Sequence, residues 1–134
     1  MARFFFILIV LAFSSCSLFA PSVLQRSEIL GSGSAYSDSI ILDESGAYTI
    51  YLSSDYALDV FFFDSKTGFD LFRNEGLLYS EYIYYPLSFA NATYIDDVFN
   101  TFEENTKLYF VIDNTNAVTS SKGNAYYTIE IKKI

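Results

Sequence analysis

Two hydrophobic regimes divide this chain. Phe4 to Phe13 is an unbroken apolar run behind a single cation, Arg3. From Ser39 onward the apolar positions come in short stretches separated by turn residues, and many of them alternate. Ser39 to Leu42 reads as a short strand and Asp43 to Gly46 as a turn. Ala47 to Leu52 reads as a second strand with Tyr48, Ile50 and Leu52 on one face. The two strands and their connection predict a hairpin. Ala57 to Phe63 is apolar on both faces except at Asp59, as expected of a central strand covered on both sides. Asp64 to Gly68 then reads as a turn and Phe69 to Phe72 as the returning arm of a second hairpin. Leu77 to Phe89 reads as a Tyr-rich strand, with Pro86 marking an edge or bend.

One segment departs from the strand rhythm. Ile95, Val98, Phe99 and Phe102 follow helical spacing, and Thr93 with Asp96 resembles a capping box, which predicts one short helix near residues 94–103. An irregular loop or a strand is the alternative there. Lys107 to Asp113 returns to alternation, Asn114 to Asn124 is a polar loop, and Tyr126 to Ile131 closes the chain with Tyr127, Ile129 and Ile131 facing inward. About seven or eight short strands with polar turns and no βαβ rhythm predict an all-β fold. The expected form is an antiparallel, jelly-roll-like β-sandwich, with a closed barrel as the alternative.

Composition supports that class. The chain is 51% hydrophobic, with 12 Tyr and 14 Phe among its 134 residues, and such aromatic content suits pleated, half-buried strands. With no His and one Cys, the chain has no Ser-His-Asp triad, no Cys-His dyad, no His/Cys zinc site and no intrachain disulfide. The formal charge is −8, and it becomes more negative by one if the leader with Arg3 is removed, because every acid lies after Cys16. An acidic surface without a basic stripe repels phosphate backbones and disfavours nucleic-acid partners.

The leader carries the sharpest signal. Arg3, the apolar run, and the small residues Ser14 and Ser15 have the order of a signal peptide. Ten helical residues span about 15 Å, half of a hydrocarbon core, so the run is short for a stable membrane span. Phe13-Ser14-Ser15-Cys16 resembles the lipobox of bacterial lipoproteins, in which the Cys is lipidated and becomes the new N-terminus. Phe13 stands where that pattern usually has an aliphatic residue. The expected division is a signal peptide at 1–15, a flexible Ser/Gly linker at 16–35 and a β-sandwich domain at 36–134. Cleavage after Ala20, giving a soluble secreted protein, is the alternative.

Several clusters are candidate sites. Tyr79, Tyr82, Tyr84 and Tyr85 offer rings that serve either as core or as a surface for a protein or carbohydrate partner. Asp113 and Asn114, with Asp96 and Asp97, or Asp43 and Glu44, offer oxygens to a calcium ion; the competing reading is strand termination by side chain to backbone bonds. Asp59, Asp64 and Asp70 are the carboxylates a glycoside hydrolase would need. Asn91-Ala92-Thr93 is a glycosylation sequon; it is silent if the source is bacterial, as the lipobox implies.

Leu58-Asp59-Val60-Phe61-Phe62-Phe63-Asp64, the run Lys107-Leu108-Tyr109-Phe110-Val111-Ile112-Asp113-Asn114-Thr115 and the closing strand Tyr126 to Ile131 carry a family resemblance. Over roughly Ser39 to Ile131 the chain resembles the pre-peptidase C-terminal type of β-sandwich, a jelly-roll-like module of secreted microbial proteins. The resemblance implies a non-catalytic accessory domain and carries over no catalytic residue. The expectation is an exported cell-envelope lipoprotein, anchored through Cys16, whose domain is a binding or interaction module. A structural accessory subunit without its own ligand is the alternative, and an unrecognised hydrolase is a third reading.

Overall fold

A computed structural model describes residues 22–134. Cys16 and the apolar leader lie outside the described residues. The order is β1 (Ser22–Leu30), β2 (Ala35–Leu42), β3 (Gly46–Phe63), α1 (Lys66–Glu75), β4 (Phe89–Thr101), β5 (Thr106–Asp113) and β6 (Ala125–Lys133), with two single-turn 3-10 helices at Ser80–Tyr82 and Tyr85–Leu87. The fold is all-β and antiparallel, sandwich-like and nearly closed into a barrel.

β3 organises it. Its first half pairs with β6, from Tyr48 opposite Lys133 to Ser54 opposite Tyr127. Its second half pairs with β5, from Asp59 opposite Asp113 to Phe63 opposite Tyr109. β6 in turn carries β1, and β5 carries β2. The β3–β4 ladder runs from Gly46 opposite Thr101 to Val60 opposite Phe89 and shifts register between Ser53 and Leu58. An irregularity of that kind bends a strand, and here it falls where β3 passes from pairing with β6 to pairing with β5.

The main core lies between the layers. Leu42, Ile50, Leu52, Val60, Phe62, Leu87, Leu108, Phe110, Ile112, Ala125, Tyr127, Ile129 and Ile131 are its fully buried members. A second cluster covers the opposite face of β3 and β5, where Phe61, Phe63 and Val111 meet Phe69 and Phe72 of α1. That coverage explains why Ala57 to Phe63 is apolar on both faces.

β1 and β2 are joined by the turn Gly31 to Ser34 but share no ladder. Side chains bridge the seam between them. Arg26 of β1 bonds Glu28 through Nε at 2.8 Å and Nη2 at 2.6 Å, and its guanidinium lies 3.4 Å over the Tyr36 ring of β2. The buried Tyr127 donates its hydroxyl to Glu28 Oε1 at 2.6 Å. The Arg26 bond holds the Glu28 carboxyl below its usual range, helped by Tyr127 and opposed by burial. Burial, reinforced by the Glu28 bond, pushes the Tyr127 phenol up.

Several expectations are corrected. The segment read as a linker contains β1: Leu24, Arg26, Glu28 and Leu30 alternate inward, and β6 supplies the backbone partners that Ser-rich composition conceals. The folded unit therefore includes residues from Ser22, not only from Tyr36. Residues 94–103 are not a helix, because most of them belong to β4. Ile95, Phe99 and Thr101 face inward while Val98 and Phe102 face out, so the apolar spacing served both periods and β3 supplied the ladder.

The helix lies instead at Lys66–Glu75, where a turn and strand were expected. Ser65 caps its start, accepting the Gly68 N–H at 3.2 Å, and left-handed Gly76 ends it with its N–H directed to Leu71 and Phe72 carbonyls. Gly68 is also the contact point with the next segment, since a Cβ there would collide with Tyr82. The expected hairpin of Ser39 to Leu42 with Ala47 to Leu52 does not form, because β2 pairs with β5. Ala47 to Leu52 and Ala57 to Phe63 are one bent strand, and Leu77 to Phe89 holds two 3-10 turns in place of a continuous strand. Six strands in the described residues replace the seven or eight expected.

Candidate functional site

The four clustered tyrosines divide two and two. After α1 the chain crosses the molecule through the two 3-10 turns, held by the Tyr84 N–H to the Phe62 carbonyl at 2.7 Å and by Ser88 Oγ, which donates to the Tyr84 carbonyl at 2.8 Å. Tyr82 packs into the cluster under α1, and Tyr84 packs against the main core. Tyr79 and Tyr85 remain exposed, at 44% and 61% of their surface. Tyr79 meets Tyr82 edge to face, with centroids 6.3 Å apart. Two partly buried rings thus anchor a segment that presents two others to solvent. Strand alternation puts Tyr82 and Tyr84 on one face and Tyr85 on the other, and the same grouping appears here although 3-10 turns, not a strand, produce it.

A further exposed aromatic pair lies on the outer face of β3 and β4. Tyr51 and Tyr94 meet edge to face at 5.9 Å beside exposed Val98, and the Tyr94 hydroxyl donates to Asp96 at 3.3 Å. Reading 94–103 as a helix hid this pair, since only the strand register brings Tyr94 beside Tyr51.

Asp113 and Asn114 stand at the end of β5, both buried. Asn114 is a staple. Its Nδ2 donates to the carbonyls of Leu30 and Gly123, each at 2.9 Å, and its Oδ1 accepts from Ser121 Oγ at 2.9 Å. The amide thus ties the end of β1 to the polar loop, and its oxygen is engaged. Asp113 faces Asp59 across the β3–β5 ladder, and Asp59 is buried too. Asp59 accepts from the Asn91 N–H at 2.7 Å, the Thr119 N–H at 3.0 Å and the Thr119 hydroxyl at 2.8 Å. Asp113 Oδ1 accepts the Thr115 N–H at 3.1 Å, which is the strand-ending role expected of an Asp there. Its buried Oδ2 has no hydrogen-bond partner among the described residues.

Asp113 also lines an open cleft of about 300 Å³, together with Ser37, Phe72, Arg73, Val111 and Thr115. These residues come from β2, α1, β5 and the polar loop. No local motif in the sequence could have grouped them.

The remaining acids stay apart. Asp96 and Asp97 are exposed on β4, opposite Tyr51 and Ile50 and away from Asp113. Asp64 is exposed and Asp70 pairs with Lys66 at 2.7 Å, so neither joins Asp59. Among the described residues no group of three or more His, Cys, Asp or Glu is placed to hold a metal ion. Calcium takes six to eight oxygens, and at Asp113 the neighbouring carboxylate and amide oxygens already accept other donors. No family model and no curated protein matches this chain.

Proposed function

We propose that the protein is exported, held on a membrane by a lipid at Cys16, and that its β domain is a non-catalytic binding or interaction module of a cell envelope. The order of Arg3, the apolar run, Ser14, Ser15 and Cys16 supports export and anchoring. The observation that carries the binding role is the presentation of Tyr79 and Tyr85 from a segment fixed by the partly buried Tyr82 and Tyr84. Tyrosine offers a large contact area at small conformational cost, and a stiff backbone lowers that cost further. The resemblance to pre-peptidase C-terminal modules points the same way, toward an accessory domain that brings its bearer to a partner or a carbohydrate.

The alternatives are weaker on specific grounds. A hydrolase would need Asp59 with Asp64 or Asp70 as acid and base, yet Asp59 accepts three hydrogen bonds that fix β4 and the polar loop, and Asp64 and Asp70 stay apart from it. A ligand-free assembly subunit would use an open sheet edge. β4 displays Asp96 and Asp97, charges of the kind that guard edges against pairing.

Two measurements test the proposal. Cys16→Ser moves the protein from the membrane fraction to the soluble fraction; retention of the variant in the membrane removes the lipid anchor. Tyr79→Ala with Tyr85→Ala weakens retardation of the full chain on immobilised cell-wall polysaccharide while leaving its melting temperature unchanged. If the double variant and the parent show no difference, either toward polysaccharide or in cross-linking to envelope proteins, the tyrosine surface has no binding role.

A further inference from the structure

We infer that the end of the domain bearing Ser22 lies against the membrane, with Phe102 seated at the boundary between lipid headgroups and acyl chains. The inference rests on the proposed lipid at Cys16. Five residues lie between Cys16 and Ser22, so even fully extended the connection reaches about 20 Å. β1 itself runs about 30 Å from Ser22 to Leu30. The tether is shorter than the strand it precedes, so the Ser22 end is held close to the lipid and the Leu30 end is carried away from it.

The register shows what shares that near end. Ser22 stands opposite Lys132 in the β1–β6 ladder. Ser22 and Val23 line one hollow with Ile41, Asp43 and Lys107. The Asn105 N–H donates to the Asp43 carbonyl, which brings in the β4–β5 turn. That turn displays Phe102 with 93% of its surface exposed, and Ile41 is 49% exposed. The display is stiff: the hydroxyls of Thr101 and Thr106 both donate to the Glu103 carbonyl at 3.2 Å, and Asn105 closes the turn in the left-handed region at φ 54°.

A phenyl ring held almost fully in water on a fixed turn gains by entering an apolar phase. Charge does not direct the contact. Lys107, Lys132 and Lys133 at this end are offset by Asp43, Glu44, Glu103 and Glu104. The partner is therefore the lipid surface itself, met through an aromatic wedge beside the anchor.

The test uses the full chain in vesicles of phosphatidylethanolamine and phosphatidylglycerol, with a polarity-sensitive fluorophore on Phe102→Cys or on Tyr126→Cys. Tyr126 pairs with Ile29 next to the Leu30 end and is 57% exposed, so both labels sit at solvent-facing positions. The expected result is a blue-shifted emission at position 102 that is quenched by lipid-borne nitroxide, with solvent-like, unquenched emission at position 126. Lipidation of Cys16 is read separately by the mass of the N-terminal peptide. A lipidated Cys16 with solvent-like emission at position 102, or equal quenching at both positions, overturns the orientation alone. An unmodified Cys16, which would also take a second label, overturns the anchor and the orientation with it.

Discussion

Asp59 and Asp113 occupy facing positions on one ladder, yet their surroundings give them opposite roles. Asp59 satisfies donors from two distant segments, and removing it leaves those N–H groups without an acceptor. Asp59→Ala is therefore expected to cost about 1–3 kcal/mol of stability. Asp113 keeps one buried oxygen without a donor and faces a like group. Directly opposed like charges destabilise a sheet, so Asp113→Asn is expected to raise stability by about 0.2–1 kcal/mol. Urea-unfolding midpoints of the two variants decide the matter: if both fall, Asp113 is a structural acceptor like its neighbour. A rise for Asp113→Asn would mean that the chain keeps a costly carboxylate beside the cleft. Asp59 interrupts an apolar stretch and Asp113 ends one, and neither local sequence shows which donors will reach it. Only the arrival of Thr119 and Asn91 from elsewhere separates them.

At the scale of elements, the open seam between β1 and β2 is closed by side chains in place of backbone bonds. Arg26, Glu28, Tyr36 and Tyr127 form that closure, and it depends on Glu28 being ionised. The Glu28 carboxyl titrates below its unfolded value, so its contribution is fully present above about pH 4.3 and fades as pH falls through the lower folded value. Tyr127 behaves in the opposite sense: its raised phenol is favoured below about pH 10, and its contribution fades as pH rises through the folded value. Melting temperature followed from pH 6 to pH 3 should therefore fall less steeply in Glu28→Gln than in the parent, from a lower starting point. Identical slopes would show that the seam draws no stability from this ion pair. Alternation alone would place Arg26 and Glu28 on an inward face, which reads as an error in a strand. The absence of a β1–β2 ladder turns that error into an edge-closing device.

For the molecule as a whole, β3 pairs with β4, β5 and β6, so the ladders on its two halves are coupled through one strand. Thermal unfolding of the domain from Ser22 to Ile134 is expected to be one transition with equal calorimetric and van't Hoff enthalpies. A chain beginning at Tyr36 loses β1, exposes the inward face of β6 with Tyr127, Ile129 and Ile131, and should lose that cooperative transition. Retention of it would mean that β1 is dispensable and that the domain does begin near Tyr36.

The amino-acid sequence alone determined the class of this protein. Aromatic and β-branched alternation and polar turns lead to an antiparallel β domain, and a charged start, a greasy run and one Cys are the residues on which the proposed export and anchoring rest. Those features are local, and local periodicity decides them. The tertiary structure decided the rest. Val98 and Phe102 satisfy a helix and a strand equally until β3 supplies hydrogen bonds. Gly68 to Phe72 becomes helical because Phe61, Phe63 and Val111 offer a face for Phe69 and Phe72 to cover. Ser22 to Leu30 becomes a strand because β6 stands ready to pair with it. Where one stretch of chain fits two conformations at similar free energy, the partner that arrives from far along the sequence selects between them.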